Sequence, residues 1–518
     1  MERHIGTWHK ERDLQREEVA ELIIDGNHIE FYSRFHGEVF PCTFIGSDGR
    51  YRYKVFTKGY SKPGNNRVLE YTSSHRVYYV LMQNFEFSKG MDVSGIKEFS
   101  FTFPELIDWL GVSTVSYEMT EMKEIAAKEI NFIPIVLSNE TPYIEIYFAS
   151  KTYNTSIRHD DRVSITIRNE PRIKVEYHES QELQVVLNDI ECLMQFFGLL
   201  IGSVSTVDDI RLVVGEDDKR SWLFLNHDYS FNTIIRDSLY RPHTYLYVVQ
   251  NNLLKYYSNW RRFYYDDTYS LIRRMFFSVN GRKDIFAEDI FVQYMKILDG
   301  YHTRVFSFDT EDKIKEALKD TTKEIKKLIF NDNGKPLFEK SIKKAIPEWK
   351  YNARNMEDIA GWIASGYVAR KQLSHRIREL DEMYFSIIEK NAVEVENMRK
   401  TNNKEGETDD KLIQLYFKEL GDTRNYYSHN KHDNTGVLEF NQMNVTINIL
   451  KATILSILLS HMKIEKDLIR KIIGFDSELH FQTQCIISED DKPFEYPSQV
   501  EKEEDNSDEI YMSVAFEK

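Results

Sequence analysis

The sequence predicts an α+β fold, with a β-rich N-terminal domain of sandwich or barrel-like form followed by an all-helical bundle. Three observations predict it. Apolar and polar residues alternate with a period of two through roughly the first 230 residues. From about His243 the apolar positions recur at three and four instead. Asp-Gly turns separate the early runs, and strand-like alternation is missing from the later ones. A chain of 518 residues is also too long for one core, since single cores rarely grow past about 250–300 residues. The expected boundaries are 1–235 for the β-rich domain, 236–480 for the helical domain and 481–518 for an acidic tail.

The elements follow in order. Glu21–Ile24, the turn Asp25-Gly26-Asn27 and the run His28–Phe35 read as a hairpin, because Asp-Gly tolerates the positive φ of a tight turn. Asp48-Gly49 before Arg50–Phe56 repeats the pattern. Phe99, Phe101 and Phe103 alternate, as do Ile144, Ile146 and Phe148. Val163–Val175 reads as two runs broken at Asn169-Glu170-Pro171. One long helix, Leu183–Ile201, interrupts the strands, and further strands follow near 210–214 and 222–225. Candidate helices then cover 243–262, 266–278, 285–303, 311–330, 355–390, 409–428, 441–462 and 464–473. Leu412, Leu415, Phe417 and Leu420 mark the apolar face of the helix at 409–428, which a polar loop at 400–410 precedes.

The bulk numbers narrow the function classes. Net charge is −15, so the chain is not a basic nucleic-acid coat, and any RNA site needs a local basic patch. Residues 486–518 carry 11 acidic and 3 basic side chains, which makes much of that charge local. Cys42, Cys192 and Cys485 are far apart and form no CxxC pair, which argues against a zinc cluster or disulfide scaffold and suits a reducing cytoplasm. The first twenty residues contain no apolar signal region. The apolar stretches Leu193–Val204 and Ile447–Leu459 fall short of the roughly 20 residues of a membrane span and read as buried helices.

Most catalytic motifs fail. Gly59-Tyr-Ser-Lys-Pro-Gly64 has P-loop glycine spacing without the following Lys-Ser/Thr. His178-Glu179 lacks the second histidine of a zincin, and no GxSxG elbow occurs. What stands out is Arg424-Asn425-Tyr-Tyr-Ser-His429, after an amphipathic helix and before a buried one. Arginine is a planar, permanently charged group that chelates phosphate oxygens in pairs. Asn425 adds a neutral donor, and His429 supplies the side chain that exchanges a proton near neutral pH. The spacing alone is weak, since 15 His in 518 residues put a histidine at any position about 3% of the time. Arg370-Lys-Gln-Leu-Ser-His375 is a second match, but it lies inside a long helical pattern and reads as a solvated face. Five residues on a straight helix rotate by about 140°, so Arg424 and His429 share one face only if the helix bends or two copies line one cleft.

Arg424–His429, the buried helix that follows and the opening Ile5-Gly6-Thr7-Trp8 of a β-rich half together resemble the ApeA-type HEPN (higher eukaryotes and prokaryotes nucleotide-binding) proteins. This is a family of bacterial anti-phage effectors, and the resemblance covers about residues 1–480. It implies a metal-independent, cofactor-free endoribonuclease with Arg424, Asn425 and His429 at its site. It further implies a homodimer or higher oligomer through the HEPN domain, RNA, with tRNA foremost, as substrate, and abortive infection through arrested translation. A phage-derived protein is the expected trigger, sensed by the β half, with no role for a membrane. The competing reading is a non-catalytic HEPN dimerisation protein whose β domain recognises a protein partner. Lys431 stands where another HEPN branch carries a modifiable tyrosine, so that mode of control is not expected. Asp299 corresponds to an acidic position of many HEPN domains and stays outside the expected catalytic set.

Overall fold

A computed structural model describes residues 1–35, 41–64, 72–84, 95–112, 115–119, 125–129, 132–155, 164–215, 219–226, 231–235, 242–282, 285–306, 320, 323–324, 373–399, 408–429 and 434–475. The first six strands are β1 (Glu2–Lys10), β2 (Asp13–Asp25), β3 (His28–Ser33), β4 (Thr43–Ser47), β5 (Tyr51–Gly64) and β6 (Thr72–Asn84). They pair antiparallel in the order β6-β3-β2-β1-β4-β5, and β5 pairs back onto β6, which closes a barrel. Closure removes the open edge that a lone sheet would expose. Trp8, Leu22, Phe31, Phe44, Tyr53 and Val55 fill the barrel as a core of their own. Gly46 sits against the Trp8 indole, where a Cβ would come within 2.1 Å of the ring, so glycine at 46 is what admits tryptophan at 8.

The sheet continues beyond the barrel from the seam strand β6. The remaining strands are β7 (Ile96–Thr102), β8 (Val115–Met119), β9 (Ile125–Glu129), β10 (Ile135–Ser138), β11 (Tyr143–Thr155), β12 (Ser164–Gln181), β13 (Asp208–Val214) and β14 (Lys219–Leu225). From β6 the order runs β14-β13-β7-β12-β11-β10, while β8 and β9 form a separate ribbon. The break expected at Asn169-Glu170-Pro171 does not occur, and β12 passes straight through it. The Pro171 carbonyl accepts the Thr102 hydroxyl at 2.7 Å. In a strand the N–H of a residue points to the same side as its carbonyl. The proton that proline lacks therefore falls on the β7 side, beyond the last pair Ile173–Phe101, and no ladder bond is lost.

The helices are α1 (Glu105–Leu110), α2 (Leu183–Ile201), α3 (Leu246–Val249), α4 (Leu253–Tyr265), α5 (Asp267–Asn280), α6 (Ala287–Phe306), α7 (Leu373–Met383), α8 (Ile387–Asn397), α9 (Asp409–His429), α10 (Phe440–His461) and α11 (Lys466–Phe475). The expected helix 355–390 is broken where it is described. Tyr384–Ser386 turn with φ of 75° at Phe385 and 51° at Ser386. The buried Asp381 carboxylate accepts the N–H groups of Ile388 and Glu389 at 2.8 and 2.7 Å and so starts α8 afresh. The expected helix at 311–330 lies almost wholly, and the 400–410 loop and the 481–518 tail largely or entirely, outside the described residues. α2 and α10 are long and apolar enough to cross a membrane, yet both are largely buried in the protein. One hydrophobic cluster joins β7, β12, β13 and α2 to α4–α11. Trp260 of α4 donates to the Cys192 carbonyl of α2 at 3.0 Å, and Tyr257 meets Phe196 edge-on.

Candidate active site

α9 begins with Asp409 and Asp410, whose charges suit the positive end of a helix. Its buried stripe is Leu412, Tyr416, Phe417, Leu420 and Thr423. Arg399, two residues past α8, pairs with the buried Glu419, and Tyr416 and Thr446 hydroxyls meet at 2.9 Å, so α9 is fixed to both the end of α8 and α10. The Thr423 hydroxyl accepts the Leu438 amide at 2.9 Å, which folds the chain after α9 back against its last turns. Gly436 makes that return at φ 77°, close to the Asp422 carboxylate, where a side chain would be strained twice over.

The same helix end carries the motif. α9 runs unbroken through His429, so Arg424 and His429 lie five residues apart on one continuous helix. Arg424 and Asn425 are half-buried, and Arg424 Nη1 donates to Asn425 Oδ1 at 3.1 Å. The Arg424 Nε is buried without a hydrogen-bond partner, and among the described residues no carboxylate pairs with this guanidinium. His429 is exposed, so it is not buried in an apolar core, the placement that would count against a nuclease site. Asn425 is the one site residue that touches Arg424. Lys431 and His432 lie outside the described residues, as does Arg370, while His375 is exposed on α7.

The surroundings differ from the sequence expectation in two ways. Asp299 is held by Arg376 of α7 at 2.5 Å, and its neighbour His302 by Glu379 at 2.7 Å. Glu288 instead lies near the motif, close enough to Tyr427 to add to the upward push that burial gives its phenol. Since Asp299 is eleven residues further along α6, it sits roughly 16 Å down the helix from that level. Two exposed rings, Phe286 and Phe440, open α6 and α10. An apolar residue just before or at a helix start has no period to flag it, so neither ring is marked by the sequence pattern. Among the described residues no three His, Cys, Asp or Glu side chains converge.

The family model described as ApeA N-terminal domain 1 matches residues 3–260, and the model described as Apea-like HEPN matches residues 292–468. No curated protein and no solved structure matches the chain. The first match takes in the barrel, the extended sheet, α2 and most of α4, and the second runs from α6 into α11, with the motif inside it. Closed barrel, helical bundle and both matches agree, and the chain belongs to the ApeA-type HEPN family.

Proposed function

We propose that this chain is an anti-phage effector that cuts RNA, tRNA foremost, by metal-independent transesterification at Arg424, Asn425 and His429. The observation that carries the proposal is the exposed histidine at the end of α9, five residues from an arginine without a carboxylate partner among the described residues. The RNA 2′-hydroxyl attacks its own neighbouring phosphate, so the nucleophile comes from the substrate. His429 takes the 2′-hydroxyl proton, and a second histidine gives one to the departing 5′-oxygen. Arg424 offsets the charge that builds on the phosphorane-like transition state. Asn425 steadies the guanidinium by accepting from Arg424 Nη1 through its side-chain oxygen. The products are a 2′,3′-cyclic phosphate and a 5′-hydroxyl.

Because α9 is one continuous helix, regular helical geometry offers the arginine and the histidine of one chain about 140° apart. A homodimer through the HEPN half supplies the second motif, and with it the second histidine. The β half acts as the sensor, engaged by a phage-derived protein, in the cytoplasm. The test uses a substrate with a single 2′-deoxynucleotide at a mapped cut. Cleavage there stops while neighbouring cuts persist if the 2′-hydroxyl is the nucleophile. Undiminished cleavage at the deoxy position overturns the mechanism.

A further inference from the structure

α6 and α10 pack side by side, and their last turns meet, with the Tyr301 hydroxyl 2.8 Å from His461 Nε2. The two helices therefore run parallel, and their first residues lie at one end of the bundle. α9 runs the other way, since Tyr416 meets Thr446 of α10 while Thr423, further along α9, is tied to Leu438 just before α10 begins. That end thus gathers the motif and the starts of α6 and α10. Two rings project there. Phe286, whose carbonyl accepts the first helical amides of α6, is 79% exposed, and Phe440, the first residue of α10, is 64% exposed. Phe440 is held by its surroundings. Glu439 and Gln442 close a capping box under Phe440, and Leu438, two residues before it, is tied to Thr423 beside Arg424.

Exposed aromatic rings at the end of the bundle that carries the motif offer flat apolar faces to a partner. The neighbouring group points to the occupant. Arg172, Arg376 and Arg399 all have acidic partners and the buried Arg273 is closed off by Gln195 and the Tyr264 ring, but the half-buried Arg424 has only an amide oxygen among the described residues. A cation left open for an oxyanion beside flat apolar faces matches a chain of phosphates and unpaired bases. We propose that Phe286 and Phe440 are base-stacking platforms flanking the Arg424–His429 site, and that they restrict it to single-stranded RNA. In a duplex both faces of each base are already covered, whereas splayed bases stack on aromatic side chains. This rests on the nuclease reading above and adds substrate selection to it.

The experiment uses the full chain with His429→Ala, so that RNA is bound without being cut, and reads anisotropy of a fluorescein-labelled single-stranded oligoribonucleotide and of its duplex. Phe286→Leu and Phe440→Leu keep apolar bulk but lose the ring, and Phe→Trp keeps the ring. Each leucine variant is expected to bind the single strand roughly tenfold more weakly, with tryptophan restoring affinity and duplex binding unchanged. Light scattering follows the oligomeric state. Leucine variants that bind the single strand like the parent overturn the proposal. So do variants that turn monomeric, since the rings then serve a second copy of the chain. If the parent binds RNA and only the ring effect is missing, the nuclease reading stands without this one. If the parent binds no RNA, both fall.

Discussion

Arg376 and Arg399 each pair with a carboxylate, whereas Arg424 meets none among the described residues, and that difference makes predictions at single residues. Arg424→Lys keeps the charge but loses the planar fork, so cleavage is expected to fall at least tenfold, and Arg424→Ala about 10²–10³-fold. Arg370→Ala and His375→Ala are expected to leave cleavage unchanged, as measured on the same RNA. A different histidine governs stability. His461 is enclosed by Phe263 and Tyr269 and bonded to Tyr301, and burial lowers its pKa to about 4. The folded state thus resists a proton that the unfolded chain accepts near pH 6.5. Stability is complete above that pH and is lost as pH falls from about 6.5 to about 4, by about 3 kcal/mol. Chemical denaturation of His461→Phe is expected to show a flatter profile than the parent in that window, and equal profiles would refute the assignment. The motif was legible because arginine, asparagine and histidine sit within six residues of one another. The Asp299–Arg376 pair and the two phenylalanines were not, because helices far apart in sequence bring them to their places.

Local chemistry explains which elements could be read. The turn at Gly26, where Asp25 faces His28 across the hairpin, follows from two residues that accept an unusual backbone. α2 occupies the span its unbroken apolar pattern predicts. The break between α7 and α8 was hidden, because both helices keep a three-four pattern through it and the cause is a buried carboxylate rather than a glycine or proline. Burial pushes that carboxyl, Asp381, up to about 7 against the two amides that favour its charged form. Asp381→Ala leaves the Ile388 and Glu389 amides without their acceptor and is expected to cost about 2–4 kcal/mol in denaturant midpoint measurements. Asp381→Asn keeps one acceptor oxygen and is expected to cost less. A neutral alanine variant would show that the turn is held by packing alone. Pro171 misled in the opposite sense, since a proline inside a strand is harmless where the neighbouring strand has ended.

Across the whole molecule, the barrel has its own core, while the rest of the sheet shares one with the helices. α4 rests on α2 through Trp260, Tyr257 and a hydrogen bond from Arg273 of α5 to Gln195 at 3.0 Å. A chain beginning at residue 236 would bare that face and is expected to aggregate on expression, whereas a well-dispersed, folded fragment would show the helices to be self-sufficient. The shared core also gives the β half a direct mechanical connection to the helices that lead to α9. Light scattering of the intact chain is expected to give at least a dimer. A strictly monomeric particle that still cuts RNA would remove the need for two motifs in one cleft. The central claim is that the end of α9 cuts RNA without a metal, and incubation of the purified chain with total RNA in EDTA tests it most directly. Discrete cleavage products that disappear with Arg424→Ala and with His429→Ala are the predicted result. Cleavage that EDTA abolishes, or that survives both substitutions, would contradict it.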